Sequence, residues 1–346
     1  MSAVVASPVI AHVNLARGFR GGERQTELLI RELATLGFSQ RLVARDSEPL
    51  IVRLANLDDL QRVTASGIVS ATRALKGTAL AHSHEGRGVQ AVALAGRLKA
   101  IPYVITRRVT RPLKQNPITR SMYRRAACLV GLSRHISGQL ETYAQRSDVR
   151  TIPSAHMPVE IDPARVRALR GAFGERPVIG HVGALVIRHK GQPMLIDIAR
   201  ERPQYTIVQD GAGEDEQALR EQAAGLDNVV FTGHVDDVPN YLAAFDVFAF
   251  PSRFEGLGST LLDAIARELP IIASDVDGIP DIIEHDRNGL LAAPDDLTAW
   301  LHRIDRLIED RALRERFAHH NRDLLARYSA ERMAKDYAAL YSEILP

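Results

Sequence analysis

The chain has 346 residues, of which 45% are hydrophobic and 25% charged, a composition typical of a soluble globular protein with two domains. It contains no run of about eighteen apolar residues, and its N-terminus lacks the charged segment and cleavage site of a signal peptide. Neither a spanning helix nor secretion is therefore predicted. The lone Cys128 cannot form an internal disulfide, which favours the cytoplasm and a buried core position for this residue.

The net charge of +2 is unevenly distributed. Residues 1–175 hold 26 Lys and Arg against 13 Asp and Glu, a net +13, whereas the remainder carries −11. This asymmetry predicts that the first half meets something anionic. Nucleic acid, an acidic membrane surface and a phosphorylated acceptor all remain open.

The first half alternates strands and helices, the pattern of a doubly wound parallel sheet. A strand at residues 4–13 leads into a glycine loop that contains Gly21 and Gly22, and a helix follows over 23–36. A short strand at 80–83 leads into His84, with a helix at 88–98 and another strand at 103–106. Loops after such strands face the ligand crevice, so Gly21, Gly22 and His84 are candidate site residues.

The most basic stretch is residues 107–125, which has seven positive charges and no acid. It contains Arg107, Arg108 and Arg111, and prolines 112 and 117 make most of it a loop before a helix. Arginine suits planar recognition of phosphate or carboxylate, and an unrelieved basic run is usually there to meet anions. We therefore predict contact with an anionic acceptor or membrane.

The second half begins its own set of strands, predicted at 178–182, 205–209 and 229–232. We expect a first domain over 1–160, a second over 161–327, and a final segment, 328–346, that packs back on the first. Two long helices are predicted at the end of the chain, over 297–309 and 312–345.

The central stretch is 248–281, FAFPSRFEGLGSTLLDAIARELPIIASDVDGIPD. A buried strand ends near Pro251, and a helix opens after Glu255, Gly256, Leu257 and Gly258. The glycines allow close backbone approach, and the first-turn amides lack intrahelical partners, which makes an anion site suited to phosphate. Ser259 and Asp263 share a helix face, so a phosphate here would have a carboxylate on each side.

This stretch resembles the signature P-S-x-x-E-G-x-G-x-x-x-x-E-A-x-A-x-G-x-P-V-V-A-S of the retaining family-four glycosyltransferases, over about thirty residues without a gap. The segments ARGFRGGERQ, GALVIRHKGQPMLIDIAR and VVFTGHVDDVPNYLAAFDVFAFPS resemble further family motifs. The resemblance implies the α/β GT-B fold, with two Rossmann-like domains facing a central cleft and a C-terminal helix crossing back. It implies bacterial lipopolysaccharide or polysaccharide synthesis, and transfer of a hexose-type sugar from a UDP- or GDP-sugar with retention.

The resemblance also implies roles for single residues. Glu255 would hold a hydroxyl of the donor sugar, and Lys190 would neutralise the leaving diphosphate together with the amides of Gly258 and Ser259. The family arginine before Lys190 is replaced by Ala184, so Arg188 is a candidate substitute. Further donor contacts are implied for Gly21, Gly22, His234, Val235, Gly256, Leu257 and Asp263.

We expect acceptor contacts at His84, Arg107, Arg108 and Arg111, and an anionic saccharide or glycolipid as the acceptor at the inner membrane face. No metal and no cofactor beyond the nucleotide sugar are predicted. Alternatives on the same fold are a nucleotide-sugar epimerase or a phosphorylase. A nucleic-acid-binding protein is disfavoured because the basic run has only Tyr123 for stacking, and a dinucleotide dehydrogenase because no G-x-G-x-x-G follows the first strand.

Overall fold

The computed structural model describes residues 8–156 and 160–345, and it divides the chain into two units. The first unit comprises residues 1–155 with 329–346, and the second comprises residues 156–328. Residues 4–7 of the predicted first strand lie outside the described residues. The strand that the structure describes there begins at Ile10.

The first unit is built on a seven-stranded sheet whose neighbouring strands are all parallel, in the order β3-β2-β1-β4-β5-β6-β7. Its central strands are buried along their whole length, because helices cover both faces. The strands are β1 (Ile10–Asn14), β2 (Gln40–Ala44), β3 (Leu60–Thr64), β4 (Leu80–Ser83), β5 (Tyr103–Arg107), β6 (Cys128–Gly131) and β7 (Arg150–Thr151). The helices are α1 (Gly21–Thr35), α2 (Pro49–Arg53), α3 (Ile68–Ala74), α4 (Gly86–Lys99), α5 (Pro117–Arg124) and α6 (Arg134–Ala144).

The second unit repeats this architecture with six parallel strands in the order β10-β9-β8-β11-β12-β13. The strands are β8 (Val178–Val182), β9 (Thr206–Asp210), β10 (Val229–Gly233), β11 (Val247–Phe250), β12 (Ile271–Ser274) and β13 (Leu290–Ala292). The helices are α7 (Pro163–Phe173), α8 (Ile187–Lys190), α9 (Pro193–Glu201), α10 (Glu216–Gln222), α11 (Val238–Ala243), α12 (Ser259–Ala266), α13 (Leu297–Glu309) and α14 (Arg311–Leu325), with 3-10 turns at Ile279–Asp281 and Ala326–Tyr328.

Each sheet reverses its strand order once, between β1 and β4 in the first unit and between β8 and β11 in the second. Ligands of open parallel sheets bind at the carboxyl ends of the strands beside such a reversal. The loops that follow β1, β4, β8 and β11 are therefore where functional side chains are expected. These are the loops that carry the glycines near residue 21, His84, Lys190 and Glu255.

The last helix, α15 (Ala330–Ile344), belongs to the core of the first unit. Its buried residues Ala334 and Tyr337 pack in one cluster with Leu29 and Leu33 of α1. The predicted fold class, two parallel α/β units with a C-terminal helix, is confirmed.

Cys128 is buried in the cluster that α1 and α15 form, and burial raises the pKa of its thiol to about 11.

The prediction of one helix over residues 312–345 is wrong. The chain forms α14, a 3-10 turn and then α15, which starts after Ser329. The Ser329 side chain accepts a hydrogen bond from the Arg332 N–H and so caps a new helix. No proline or glycine marks this break, so helical periodicity alone could not show it.

Candidate functional site

Two predicted catalytic side chains meet at the strand-order reversal of the second unit. Lys190 ends α8, which follows β8, and Glu255 lies in the loop after β11. The Lys190 Nζ atom donates to Glu255 Oε2 at 2.5 Å, and the two side chains are 22% and 17% exposed. Because the carboxyl ends of β8 and β11 share one edge of the sheet, residues 65 positions apart form an ion pair.

Backbone contacts hold these two loops together. Gly191 adopts a left-handed conformation with φ of 64°, and a Cβ atom there would lie 2.1 Å from the Pro251 carbonyl oxygen. Only glycine fits this approach. The Arg253 N–H also donates to the His189 carbonyl at 2.8 Å. The position of Lys190 relative to Glu255 is therefore fixed by the main chain and does not depend on the side chains alone.

The floor under Lys190 is formed by Phe250 and His181. The ammonium lies 5.0 Å from the centre of the Phe250 ring, a cation–π distance. His181 is fully buried, and its Nδ1 donates to the Ala249 carbonyl at 3.0 Å, which leaves Nε2 as an acceptor without a hydrogen-bond partner among the described residues. Burial lowers the pKa of His181 to about 4, so this imidazole is neutral at pH 7.

The loop after Glu255 ends in an open helix N-terminus. Gly256 and Leu257 are buried, and Gly258 is the N-cap of α12 with φ of 86°. Among the described residues no side chain caps this helix. The Leu261 N–H donates to the Gly258 carbonyl, and the amides before it lack intrahelical partners and suit an anion. Ser259 is half-buried at the first turn, and Asp263, on the same helix face, is 8% exposed.

The other predicted donor residues of the second unit lie nearer the surface. The His234 side chain is 76% exposed and follows Gly233, which has φ of 73°, whereas Val235 is half-buried. Arg188 is exposed on α8, and Ala184 is exposed as well.

Sequence reasoning missed a buried carboxyl at the end of β9. Asp210 is 1% exposed, and its Oδ1 accepts from Thr232 Oγ1 at 3.2 Å. Its Oδ2 has no hydrogen-bond partner among the residues that the structure describes. Burial raises the pKa of Asp210 to about 7, and the nearby Asp237 acts in the same direction. Burial of a strand-end acid cannot be read from the neighbouring residues in the sequence.

In the first unit, α1 begins at Gly21, and the Arg20 N–H before it donates to Glu23 Oε2 at 3.1 Å. A Cβ atom on Gly22 would lie 3.6 Å from the Arg108 Cδ. Gly22 is a donor contact implied by the resemblance, and Arg108 is an acceptor contact expected from the basic run. The two residues are therefore neighbours.

His84 lies in the core of the first unit, with 3% of its surface exposed. Its Nε2 is 3.0 Å from His12 Nδ1, and its Nδ1 is 3.4 Å from Arg108 Nη2. Both ring nitrogens are thus engaged. His84 therefore lies on the buried side of Arg108, which is partly exposed.

Arg107 and Arg111 adjoin one another at the start of the basic run. Arg107 is half-buried and donates to the Arg111 carbonyl, and Arg111 is exposed. Farther along, a groove of about 620 Å³ is lined by Gln115, Asn116, Pro117, Arg120, Ser121, Arg124 and Arg125. Val109 and Ile118, within the same basic run, are 56% and 71% exposed.

A cluster of three histidines was also not predicted from the sequence. His12, His82 and His84 place one nitrogen each within 4.8 Å of one another, a geometry that could hold a metal ion. In the structure these nitrogens are hydrogen-bonded instead: His82 to the Tyr341 and Thr106 hydroxyls at 2.6 and 2.7 Å, and His12 to Gln40. Strand pairing explains the cluster, since His12 and His82 are register partners on β1 and β4.

Residues 176–310 match the family described as "Glycosyl transferases group 1". The 2-deoxystreptamine glucosyltransferase of Streptomyces kanamyceticus is 29% identical over 82% of this chain and 88% of its own length. The lipopolysaccharide core biosynthesis glycosyltransferase LpsE of Rhizobium meliloti is 27% identical over 65% of this chain and 66% of its own. The crystal structure of Anabaena Alr3699/HepE in complex with UDP-glucose superposes with a TM-score of 0.83 at 18% identity, over 97% of this chain and 99% of that one.

Among the described residues, no helix is both long and apolar enough to cross a bilayer. The match over residues 176–310 covers the loops that carry Lys190 and Glu255 and the N-terminus of α12. Residues 176–310 therefore match the glycosyltransferase group 1 family, and the chain has the GT-B fold of its structural neighbours.

Proposed function

We propose that the protein transfers a hexose-type sugar from a UDP- or GDP-sugar to a saccharide or glycolipid acceptor with retention of anomeric configuration. The observation that carries this proposal is the Lys190–Glu255 pair beside the uncapped N-terminus at Gly258. A cation, a carboxylate and free amides at one sheet edge are the groups that a sugar diphosphate requires.

In this proposal the diphosphate takes Lys190 away from Glu255. The freed carboxylate then accepts a hydrogen bond from a donor-sugar hydroxyl, while the amides of Gly258 and Ser259 hold phosphate oxygens. Asp263 would accept from the ribose, and backbone groups at His234 and Val235 would hold the base. Charge stabilisation where negative charge develops is typically the largest catalytic term.

The reaction needs no metal and no cofactor in this scheme, because Lys190 and the helix amides neutralise the departing diphosphate. The phosphate oxygen that leaves would take the acceptor proton, so no separate protein base is assigned. In the same proposal Arg188 supplies a second cation to the diphosphate, since this residue is exposed on α8 near Lys190.

For the acceptor we propose an anionic saccharide or glycolipid at the cytoplasmic face of the membrane. The +13 charge of residues 1–175 supports this choice, as do the exposed Val109 and Ile118 within the basic run. A relative named for lipopolysaccharide core biosynthesis supports it as well. Reversing the charge of Arg120 and Arg124 should weaken binding to anionic liposomes, and unchanged binding would contradict peripheral attachment.

Thermal stabilisation by a panel of UDP- and GDP-sugars tests the donor, since a ligand that binds only the native state raises the melting temperature. We expect one nucleotide series to stabilise the chain and the other not. Incubating the stabilising donor without acceptor separates the alternatives: an epimerised nucleotide sugar would indicate an epimerase. No stabilisation by any member of the panel would contradict the proposal.

A further inference from the structure

A directional chain of hydrogen bonds runs through the first unit, and its first link is a main-chain carbonyl. Gln40 Nε2 donates to the Ile30 carbonyl of α1 at 2.9 Å, so the Gln40 oxygen must face the other way, toward His12 Nε2 at 3.0 Å. An amide oxygen only accepts, and His12 therefore carries its proton on Nε2.

The second link follows from the first. Because His12 Nε2 holds the proton, its Nδ1 is an acceptor, and His84 Nε2 at 3.0 Å must be the donor. His84 then presents its bare Nδ1 toward Arg108 Nη2, 3.4 Å away. A guanidinium only donates, so the proton positions assigned to Gln40, His12 and His84 agree with one another. Burial lowers the pKa of His12, His82 and His84, which keeps all three imidazoles neutral.

Arg108 at the end of this chain lacks a counter-ion. Its Nε and Nη1 are buried and have no hydrogen-bond partner in the described part of the chain. Glu23, the acid whose charge acts on Arg108, is engaged elsewhere: Oε2 accepts from the Arg20 N–H, and Oε1 accepts from Asn14 at 3.4 Å. A buried unpaired charge is costly, and such groups are normally paired.

The surroundings of Arg108 suit a negative ligand. The residue as a whole is partly exposed, so the site reaches the surface there. Its aliphatic stem packs against Gly22 in the first turn of α1, a helix of fifteen residues in which the Glu23 carboxylate accepts from the Arg20 N–H. The positive end of a helix favours anions.

We propose that Arg108, together with the first turn of α1 at Gly22, binds a carboxylate or phosphate group carried by the acceptor, and that His84 is a positioning residue that aims the guanidinium. The assignment of the anionic group to the acceptor rests on the proposed function, whereas the anion site itself does not. His84 acts through Arg108, and His12 and Gln40 fix the tautomer that lets it do so.

Inorganic phosphate is the probe for the anion site, measured in a Lys190→Ala background that disables the donor lysine. We expect phosphate to raise the melting temperature of Lys190→Ala and to lose most of this effect, with about tenfold weaker apparent affinity, when Arg108→Gln is added. Arg97→Gln, which removes an exposed arginine on α4, should leave the phosphate effect unchanged. An equal phosphate effect with and without Arg108 would overturn the proposal.

Two further measurements protect this test from a folding artefact. Without phosphate, Arg108→Gln should melt higher than its parent, because an unpaired buried charge has been removed, and a lower melting temperature would overturn that account. His84→Asn, which can keep an acceptor toward Arg108, should retain the phosphate effect better than His84→Ala. Equal effects in both variants would reduce His84 to a packing residue and overturn its positioning role.

The affinity for nucleotide sugar identifies the source of the anion. If Arg108→Gln leaves donor affinity within twofold and raises the acceptor KM, the acceptor carries the group. A tenfold loss of donor affinity would assign the anion to the donor diphosphate and overturn the acceptor assignment. Failure of every nucleotide sugar to stabilise the native chain would reject the proposed function but leave the phosphate result intact.

Discussion

The two units hold a buried cation in opposite ways. Lys190 in the second unit is paired with Glu255, so the ligand-free site carries no net charge from these two groups. Arg108 in the first unit faces neutral imidazoles and no carboxylate at pairing distance in the described chain. Lys190 can exchange Glu255 for a diphosphate when the donor binds. Arg108 has no carboxylate to exchange and is neutralised only when an anion binds. The difference predicts that removing each cation has opposite effects on stability.

The largest effect is expected at the compensated pair. Lys190→Ala should lower kcat by about 10²–10³-fold, equivalent to about 3–4 kcal/mol, because a charge that stabilises the leaving diphosphate is lost. The variant should also melt lower, since Glu255 is left partly buried and unpaired. Steady-state kinetics with the donor found by thermal shift would measure the first effect.

A matched pair supplies the control. Lys335 Nζ lies 2.5 Å from Glu331 Oε1, the same distance as in the site, but both side chains are more than half exposed on α15. Lys335→Ala should leave kcat within twofold and stability nearly unchanged, because exposed ion pairs contribute little. If both lysine variants behaved alike, Lys190 would be an ordinary structural lysine.

Much of the second unit could be predicted from the sequence. The strand at Val178–Val182 and the helix at Leu297–Glu309 coincide with the predicted bounds, because apolar runs and helical periodicity are local signals. The meeting of Lys190 and Glu255 also follows once both are placed at the ends of neighbouring parallel strands. The motif resemblance supplied that placement.

The interior of the first unit was not within reach. His12 and His84 are 72 positions apart, and their contact depends on β1 and β4 being neighbours in the sheet. A strand order of 3-2-1-4, assumed from the fold class, would have placed β1 beside β4 without showing that His12 and His82 are register partners. The proton positions that aim Arg108 also require Gln40 and the Ile30 carbonyl, and no sequence pattern links these groups.

A buried acid sharpens the comparison, because Asp210 can lose its charge whereas Arg108 cannot. The folded-state pKa of Asp210, about 7, lies above its ordinary value of 3.8, so the folded form prefers the proton. Stability from this group is therefore complete below about pH 4 and is lost as the pH rises to 7. Asp210→Asn mimics the protonated form and should gain about 3 kcal/mol relative to wild type between pH 5 and pH 8.

Urea unfolding at the two pH values measures this gain. A gain for Asp210→Asn that did not change with pH would mean that the carboxyl is ionised throughout. Asp210 would then resemble Arg108, a charge held for a ligand.

The smallest expected effect separates packing from backbone strain at the anion-binding helix. Gly258→Ala should cost about 1–2 kcal/mol in unfolding free energy, because φ is 86° and a Cβ would lie 2.9 Å from Leu261 Cδ1. Gly37→Ala has a similar φ of 81° with nothing within 4 Å, so it should cost about 1 kcal/mol from the backbone alone. The difference between the two, read from urea unfolding, isolates the packing contribution. Only Gly258→Ala should also weaken donor binding, since it displaces the amides of α12; equal donor affinity in both variants would mean that the diphosphate does not bind at this helix.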